Sequence, residues 1–233
     1  DLMPNNPHIN SCTVSYDTLN CFNKLTDEEL LYMEENRLEI NYKEDETICK
    51  QGTFASHIIY ICKGLVKIYV EDDAGSLILK ILPEGNLIGL SALYDGNNIF
   101  PYSATAYKDT QARLIDIHVF RKLLKSNAEF ASEIINVMCE NSIQTFGRFF
   151  SLTQKQSYGR LADIILCLSD RIFKQNEFDL DLSRKELAEL TGMSTERVIR
   201  MLKKFKDDKL IEIDKKTFKI LDEEKLQHIS QYG

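Results

Sequence analysis

The stretch LSRKELAELTGMSTERVIRMLKKFK, residues 182–206, decides the fold of the C-terminal part of the chain. Ser183, followed by Glu186 three residues later, matches a capping box, and Gly192 can take the positive φ that ends a helix. Ser194 then caps a second helix, whose apolar residues recur at i, i+3, i+4 and i+7. The stretch therefore predicts a helix-turn-helix, and the second helix of such a unit can enter the major groove of DNA.

The polar side of this second helix carries groups that can read bases. Arg200 can donate two hydrogen bonds to O6 and N7 of guanine, and Glu196 can accept one from N4 of cytosine. The alternative is an amphipathic helix pair in which these two side chains form an i, i+4 ion pair. The local excess of basic side chains favours DNA binding. The predicted DNA-binding residues are Ser194, Thr195, Glu196, Arg197, Ile199, Arg200, Lys203, Lys204, Arg184 and Lys185.

The charge of the chain is divided unevenly along its 233 residues. Residues 1–156 hold 14 basic and 21 acidic side chains, whereas residues 157–233 hold 15 of each. This asymmetry suits a chain whose second part approaches DNA while its first part does not. The length allows two modest domains, each with its own core.

Hydropathy gives no sign of a membrane protein. No run of about 18 apolar residues is present, and the first residues lack the basic and apolar regions of a signal peptide. We expect a cytoplasmic protein without a membrane partner.

The part before the helix-turn-helix is rich in short β patterns between about residues 37 and 117. The strand-like runs are ETICKQG, HIIYICKG, LVKIYVED, LILKILPEG and ARLIDI. Glycines separate them at short intervals, which is typical of a sandwich or barrel, and residues 72–75 predict a hairpin turn. A short helix capped by Thr26 and Glu29 should precede the strands.

A long helix is predicted over residues 129–152. Polar side chains interrupt its apolar stripe, which favours pairing with a second copy of the chain over burial in a domain core. The predicted dimer contacts are Ile134, Val137, Met138, Asn141 and Arg148. A hinge at residues 154–157, a helix over 158–172, a hairpin in LIEIDKKTFKIL and a helix in LDEEKLQHIS complete the chain.

The six cysteines form no CxxC pair, so neither a disulfide framework nor a zinc finger is expected, and we assign no metal site. Cys62, Cys139 and Cys167 lie in apolar runs and are predicted to be inert core thiols.

Taken in this order, the elements resemble the CRP/FNR family of bacterial transcription regulators over roughly residues 25–230. The fragments that carry the resemblance are YICKGLVKIYVEDDAG, LPEGNLIGLSAL, TQKQSYGRLADIIL and the helix-turn-helix. The resemblance implies an α+β chain with an N-terminal β-roll of the cyclic-nucleotide-binding type, a double-stranded β-helix. A long dimerisation helix and a C-terminal winged helix-turn-helix follow it.

The same resemblance implies four regions: an arm (1–24), a β-roll sensor domain (25–128), a dimerisation helix with its hinge (129–156) and a DNA-binding domain (157–233). It implies a homodimer on inverted-repeat half-sites of double-stranded DNA, with RNA polymerase as a further partner. Glu196 and Arg200 occupy the places of the Glu and Arg that read a G·C pair in the family. Thr195 stands where members that bind cyclic AMP have another arginine, so the half-site should differ from theirs.

The effector pocket implied by the resemblance consists of Gly89, Leu90, Ser91, Tyr102, Ser103, Thr145 and Phe146. Leu90 replaces the glutamate that holds a ribose hydroxyl, and Tyr102 replaces the arginine that holds the cyclic phosphate. We therefore expect poor binding of cyclic AMP. The effector is an unidentified, less anionic small molecule, or there is none, and no cofactor is assigned.

The alternative is a regulator that responds to redox state, oxygen or NO through iron–sulfur, haem or cysteine chemistry. A cluster needs four thiolates, but only Cys12 and Cys21 lie in the arm, and Leu114 stands on the late strand. Those two thiols could instead form a disulfide or bind a metal across a dimer, and His57 or a cysteine could ligate haem. An enzyme is not expected, because the four histidines show no ligand spacing and no phosphate-binding or hydrolase motif is present.

Overall fold

The computed structural model describes residues 12–15, 21–73, 75–180 and 182–233. Two compact units are present: Ser15–Asn141, and residues 12–14 together with Ser142–Gly233. The predicted division into four regions stays a prediction, and residues 1–11 and 16–20 of its arm lie outside the described residues.

The first unit is an antiparallel β-roll. Its strands are β1 (Arg37–Tyr42), β2 (Thr47–Cys49), β3 (His57–Asp72), β4 (Gly75–Pro83), β5 (Leu87–Ile88) and β6 (Ser103–Asp116). The sheet order is β1-β6-β3-β4, with β2 paired to β6 and β5 to β3. The hairpin predicted at residues 72–75 is confirmed by the pairing of Asp72 with Gly75, although residue 74 itself lies outside the described residues.

Two strands of the roll are longer than predicted, because runs that were expected to be separate join. HIIYICKG and LVKIYVED form the single strand β3, and ARLIDI is the end of β6. Strand β3 continues through Gly64, where the sequence predicts a break, and Gly64 has φ 110°. A Cβ at this position would lie 2.6 Å from the Asp109 carbonyl oxygen, so the close approach of β3 and β6 requires glycine here.

Helices pack around the roll. They are 3₁₀ turns at Cys21–Lys24 and Leu90–Leu93, α1 (Asp27–Glu35), α2 (Ile117–Ser126) and α3 (Ala128–Gln154), which continues into the second unit. The capping box of α1 is confirmed: Glu29 N–H donates to Thr26 Oγ1 at 3.3 Å, and Thr26 N–H donates to Glu29 Oε2 at 3.0 Å. Phe130 of α3 lies between the rings of Phe22 and Phe120 in the core, with centroid distances of 6.1 and 5.4 Å.

The second unit contains α4 (Ser157–Leu168), a π-helical turn (Ser169–Phe173), β7 (Glu177–Asp179), α5 (Arg184–Thr191), α6 (Thr195–Asp207), β8 (Ile211–Asp214), β9 (Thr217–Ile220) and α7 (Glu223–Tyr232). The predicted hairpin is β8 and β9, in which Asp214 pairs with Thr217. The sequence did not reveal β7, which adds a third strand in the order β7-β9-β8.

A buried ion pair fixes the junction between α3 and α4, where the hinge is predicted. Lys155 Nζ lies 2.7 Å from Asp163 Oδ2, and their side chains are 11% and 4% exposed. Ser151 Oγ donates to the same carboxylate at 3.3 Å, and Ser230 Oγ also donates to it. Because a buried carboxylate needs its partners, this network joins the end of α3 to the middle of α4 and to α7.

The cysteines differ from the sequence prediction. Cys12 and Cys167 form a disulfide with Cα atoms 5.4 Å apart, so Cys167 is not an inert free thiol. Cys139 is exposed rather than part of a core, and Cys62 is half-buried. The pairing was missed because its two members are 155 residues apart in the sequence.

None of the helices in the described ranges combines the length and the apolar character that a membrane crossing needs.

Candidate nucleic-acid interface

The two helices of the helix-turn-helix begin and end where the sequence predicts. Ser183 Oγ accepts from Glu186 N–H at 3.1 Å, and the Glu186 carboxylate accepts from Ser183 N–H at 2.9 Å. Gly192 has φ 62° and ends α5. Ser194 Oγ then accepts from Arg197 N–H at 3.3 Å and starts α6. These local bonds satisfy backbone donors that a helix start would otherwise leave free.

The two faces of α6 differ sharply. Val198, Leu202 and Phe205 are 0%, 3% and 0% exposed and hold the helix to its unit. The opposite face repeats at i, i+3, i+4 and i+7 and is exposed. It consists of Glu196, Ile199, Arg200 and Lys203, with Arg197 exposed beside it and Thr195 half-buried.

The cations of the outer face have no partner in the protein. Within the described ranges, Arg197, Arg200 and Lys203 make no side-chain hydrogen bond or ion pair. No ion pair joins Glu196 to Arg200 in that part of the chain, although the proximity of Arg200 helps to lower the carboxyl pKa. The main causes of the lowered pKa of Glu196 are hydrogen bonds from its own backbone N–H and from Ser194. The face therefore presents one ionised carboxylate among unpaired cations.

The remaining basic residues predicted to bind DNA have neighbours. The guanidinium of Arg184 lies 5.5 Å from the ring centre of Phe218 on β9, and burial lowers its pKa. Lys185 Nζ is 3.9 Å from Glu189. Lys204 Nζ is 4.7 Å from the ring centre of Tyr158, whose hydroxyl raises the pKa of the lysine by hydrogen bonding.

A cleft of about 290 Å³ lies between the start of α4 and the flank of α6. It is lined by Gln156, Ser157, Tyr158, Arg160, Arg197 and Met201. Arg160 Nη1 donates to the carbonyls of Leu152 and Lys155 at 3.3 and 3.0 Å, while its Nε is buried without an acceptor among the described residues. Burial lowers the pKa of Arg160, and the nearby Arg197 lowers it further. Two guanidinium groups at a helix N-terminus favour an anion.

Sequence reasoning missed Arg160, although a signal was present. The residue lies in the first turn of α4, where a cation opposes the helix dipole. Such a placement suggests that an anion joins the site.

In the roll, polar groups of the predicted effector pocket already have partners. Gly89, with φ 95°, donates its N–H to the Tyr102 hydroxyl at 3.1 Å, and burial raises the pKa of Tyr102 to about 12. Ser103 Oγ accepts from Gln51 N–H at 3.0 Å. Leu90 packs in the hydrophobic core.

Ser91 differs from its neighbours in the roll. Its Oγ is buried and has no hydrogen-bond partner in the part of the chain that the structure describes. The two remaining predicted pocket residues, Thr145 and Phe146, are exposed on the part of α3 that belongs to the second unit.

The predicted dimer contacts on α3 need correction. Ile134 and Val137 are each 2% exposed and belong to the core of the roll, so they face their own chain. Arg148 is 5% exposed, and burial lowers its pKa to about 10. Asn141 accepts from Lys80 Nζ at 2.8 Å. Of the five residues, only Met138 lies on the exposed apolar face.

That exposed face lies opposite the buried one. Its large apolar side chains are between 37% and 69% exposed: Ile135, Met138, Ile143, Phe146, Phe149 and Phe150. Cys139 lies on the same face.

The groups considered for metal or haem chemistry have other contacts. Within the described ranges no three His, Cys, Asp or Glu side chains are placed to hold one metal ion. In this state Cys12 is bonded to Cys167 and has no thiolate to offer. His57 Nδ1 is hydrogen-bonded to Ser56 Oγ at 2.8 Å.

Two family models match the chain. A cyclic nucleotide-binding domain matches residues 39–127, and a Crp-like helix-turn-helix domain matches residues 159–229. The first match covers most of the roll, and the second runs from α4 into α7.

Known proteins agree with these models. The chain is 27% identical over 180 residues to the cAMP-activated global transcriptional regulator CRP of Salmonella typhimurium, covering 76% of this chain and 86% of that protein. It is 25% identical over 185 residues to the transcriptional activator protein FnrA of Stutzerimonas stutzeri, covering 77% and 75%.

The structure of FixK2 from Bradyrhizobium japonicum has the same fold, with a TM-score of 0.74 at 18% identity over 84% of this chain and 98% of that one. The relatives are transcription regulators and not enzymes. With a nucleotide-binding roll, a long helix and a Crp-like helix-turn-helix in this order, the chain belongs to the CRP/FNR family of DNA-binding transcription regulators.

Proposed function

We propose that this chain is a homodimer that reads an inverted-repeat DNA site with α6 and adjusts its binding to a small effector in the roll. Family membership supplies the general class, DNA-binding regulation. The observation that carries the proposal is the outer face of α6, where Arg200 and Lys203 are exposed without protein partners.

The face divides into base contacts and phosphate contacts. Arg200 donates to O6 and N7 of a guanine, and Glu196 accepts from the N4 amino group of a cytosine. Ile199, 51% exposed between them, offers an apolar surface to a thymine methyl group. Exposure of this apolar side chain to water is unfavourable in the free protein and ends when the groove covers it.

Phosphates bind at the flanks. Lys203 and Arg197 supply exposed charges, and Arg160 in the cleft supplies a hydrogen-bonded one at the N-terminus of α4. Lys204 joins them only if it leaves Tyr158, so we assign it a smaller part. Ser194 and Thr195 at the start of α6 approach the DNA backbone through short polar side chains. Arg184 and Lys185 at the start of α5 approach it through long cationic ones.

The exposed face of α3 is the dimer surface. A helix of 27 residues spans about 40 Å, and its six exposed large apolar side chains form a longer patch than isolated surface residues do. A second copy packed on this face would remove Phe146 and Phe149 from water. Pairing along α3 would place two recognition helices about 34 Å apart, one turn of DNA.

Cys139 provides a reporter for this dimer. A short bismaleimide should link two wild-type chains through Cys139, and the Cys139→Ser variant should give little covalent dimer. Phe149→Glu should convert the dimer to a monomer in light scattering, because a charge would enter the apolar interface. Lys125→Glu, at an exposed position of α2, is the control and should stay dimeric. A wild-type monomer at micromolar concentration would contradict the proposed surface.

The effector is proposed to be a molecule other than cyclic AMP. The Gly89 amide, from which a phosphate oxygen could accept, already donates to Tyr102, and no arginine stands at that position. The buried Ser91 Oγ is a free polar contact for a less anionic ligand. Calorimetric titration should detect no binding of cyclic AMP at micromolar concentration, and clear binding would remove this part of the proposal.

DNA selection tests the function itself. Duplexes enriched from a random pool should contain an inverted repeat with a G·C pair in each half-site. Fluorescence anisotropy should then show tighter binding to the enriched duplex than to a random one, with a steep dependence on salt. Equal affinity for both duplexes would contradict sequence-specific regulation.

A further inference from the structure

We propose that Cys12 and Cys167 form a redox-modification site, at which thiol–disulfide exchange with a low-molecular-weight disulfide lowers the affinity of the regulator for DNA. This inference rests on the proposed function. It differs from the pairing of Cys12 with Cys21 that the sequence left open.

The geometry holds Cys12 beside α4 by more than the disulfide. The backbone carbonyl of Cys12 accepts from Gln144 Nε2 at 3.1 Å, and the carbonyl of Val14 accepts from Arg171 Nη1 at 2.5 Å. Gln144 belongs to α3, and Arg171 lies in the turn after α4. Residues 12–14, which we call the strap, are thus held by hydrogen bonds from α3 and from the turn after α4. These bonds place the Cys12 sulfur next to the Cys167 sulfur.

The other cysteines are poor candidates for the same chemistry. Burial raises the pKa of Cys21 and of Cys49 to about 12, which keeps both as thiols. Burial also raises the pKa of Cys62. Only Cys139 is exposed, and it lies on the dimer surface proposed above. The thiolate is the reactive form, so Cys21, Cys49 and Cys62 should exchange slowly, whereas Cys12 and Cys167 are already close enough to bond to each other, with Cα atoms 5.4 Å apart.

The chemistry balances with a low-molecular-weight disulfide as the oxidant. The half-buried Cys12 loses a proton, and its thiolate attacks the external disulfide. This step forms a mixed disulfide and releases one external thiol. The thiolate of Cys167 then attacks the Cys12 sulfur and releases the second external thiol. The protein loses two electrons and two protons, and the external disulfide gains them.

The position of Cys167 connects this site to DNA binding. Cys167 is near the end of α4, the helix that packs against α5 and α6, and Tyr158 at its start lies 5.8 Å from Phe205 of α6 between ring centres. Ser15, the residue after the strap, begins the other unit. Both cysteines belong to the DNA-binding unit, so the disulfide bonds the strap covalently to α4. Oxidation should therefore fix the strap against the helix that supports α5 and α6, and reduction should leave it held by hydrogen bonds.

The surroundings of the protein decide whether this disulfide is structural or regulatory. A regulator works where DNA is present, in the reducing interior of the cell. Disulfides there are usually transient and redox-sensing rather than structural. The reduced chain is then the resting form, and the oxidised chain is the modified one.

The test uses the full chain after treatment with dithiothreitol or with oxidised glutathione. Peptide mapping without reductant should show one linked pair of peptides, containing Cys12 and Cys167, only in the oxidised sample. Anisotropy with a duplex selected by the reduced protein should show roughly tenfold weaker binding after oxidation, a typical size for coupling between two sites.

The variants separate this pair from other thiols. Cys12→Ser and Cys167→Ser should bind DNA as the reduced wild type does in both treatments, while Cys139→Ser should keep the tenfold response. Cys12→Ser is the decisive variant if replacing the buried Cys167 impairs folding. Equal affinity of the oxidised and reduced wild type, or a map without the linked pair, overturns the inference alone. Loss of selective DNA binding in both states overturns it together with the proposed function.

Discussion

Polar groups lie both on the outer face of α6 and inside the roll. Most of those inside the roll are hydrogen-bonded to other protein groups, whereas the cationic side chains on α6 are not. On α6, the side chains of Arg197, Arg200 and Lys203 are exposed and make no hydrogen bond or ion pair among the described residues. In the roll, the Tyr102 hydroxyl accepts from the Gly89 N–H.

Lys80 makes the difference clearer. It lies on β4 opposite Ile68, which is 4% exposed, and its ammonium donates to Asn141 Oδ1 at 2.8 Å and to the Asn141 carbonyl at 3.2 Å. A cation on a surface helix that has no protein partner can bind an external anion. A mostly buried cation that is hydrogen-bonded to a neutral amide instead joins two elements of one unit.

The largest expected effect concerns that buried lysine. Burial lowers the pKa of Lys80 from 10.5 to about 8, although Glu140 opposes the shift. Below pH 8 the lysine is protonated in both the folded and the unfolded chain. Between pH 8 and 10.5 the unfolded chain keeps a proton that the folded chain has lost, so the free energy of unfolding rises with pH. The rise should be on the order of 3 kcal/mol.

Lys80→Met isolates this contribution. Denaturant unfolding at several pH values should show the wild type gaining stability relative to the variant from pH 8 to 10.5. Lys63→Met removes an exposed lysine of β3 and is the matched control. Parallel curves for wild type and Lys80→Met across this range would mean that the ammonium is solvated, and the contrast with α6 would fail.

The next effect concerns Arg200. Arg200→Ala should weaken binding to the selected duplex by roughly 1–3 kcal/mol, because a bidentate contact to guanine is lost. Binding to a duplex whose half-site G·C pairs are replaced should change much less. Arg37→Ala is the control: its guanidinium forms ion pairs with Glu34 and Glu39 on the roll, and its loss should leave DNA binding unchanged. Equal weakening on both duplexes would make Arg200 a phosphate contact.

Features that depend on neighbouring residues were predictable from the sequence. The caps at Ser183 and Ser194, the helix end at Gly192 and the outward position of Arg200 all follow from spacing within one or two turns. For the same reason, the replacement of two family ligands in the roll was visible, although the hydrogen bond from Gly89 to Tyr102 was not.

Features that depend on distant residues were not predictable. The disulfide joins positions 155 residues apart, and β7 is a three-residue strand that becomes recognisable only beside β9. On α3 the neighbours Ile134 and Ile135 are chemically identical, yet one is 2% and the other 59% exposed. A helix that is apolar on opposite sides does not tell from its sequence which side faces its own core.

The smallest expected effect distinguishes the two kinds of contact within α6 itself. Lys203→Ala removes a point charge one turn beyond Arg200, and such a charge meets any phosphate regardless of sequence. Binding should therefore weaken to a similar degree on selected and random duplexes, and the slope of log K against log salt should become shallower by about 0.9.

Lys185→Ala, at a lysine 3.9 Å from Glu189, should change the slope less, because part of its charge is already compensated. A loss confined to the selected duplex would move Lys203 into the groove and extend base reading along a further turn of α6. A slope change equal to that of Lys185→Ala would instead show that the absence of a protein partner does not mark the cations that contact DNA.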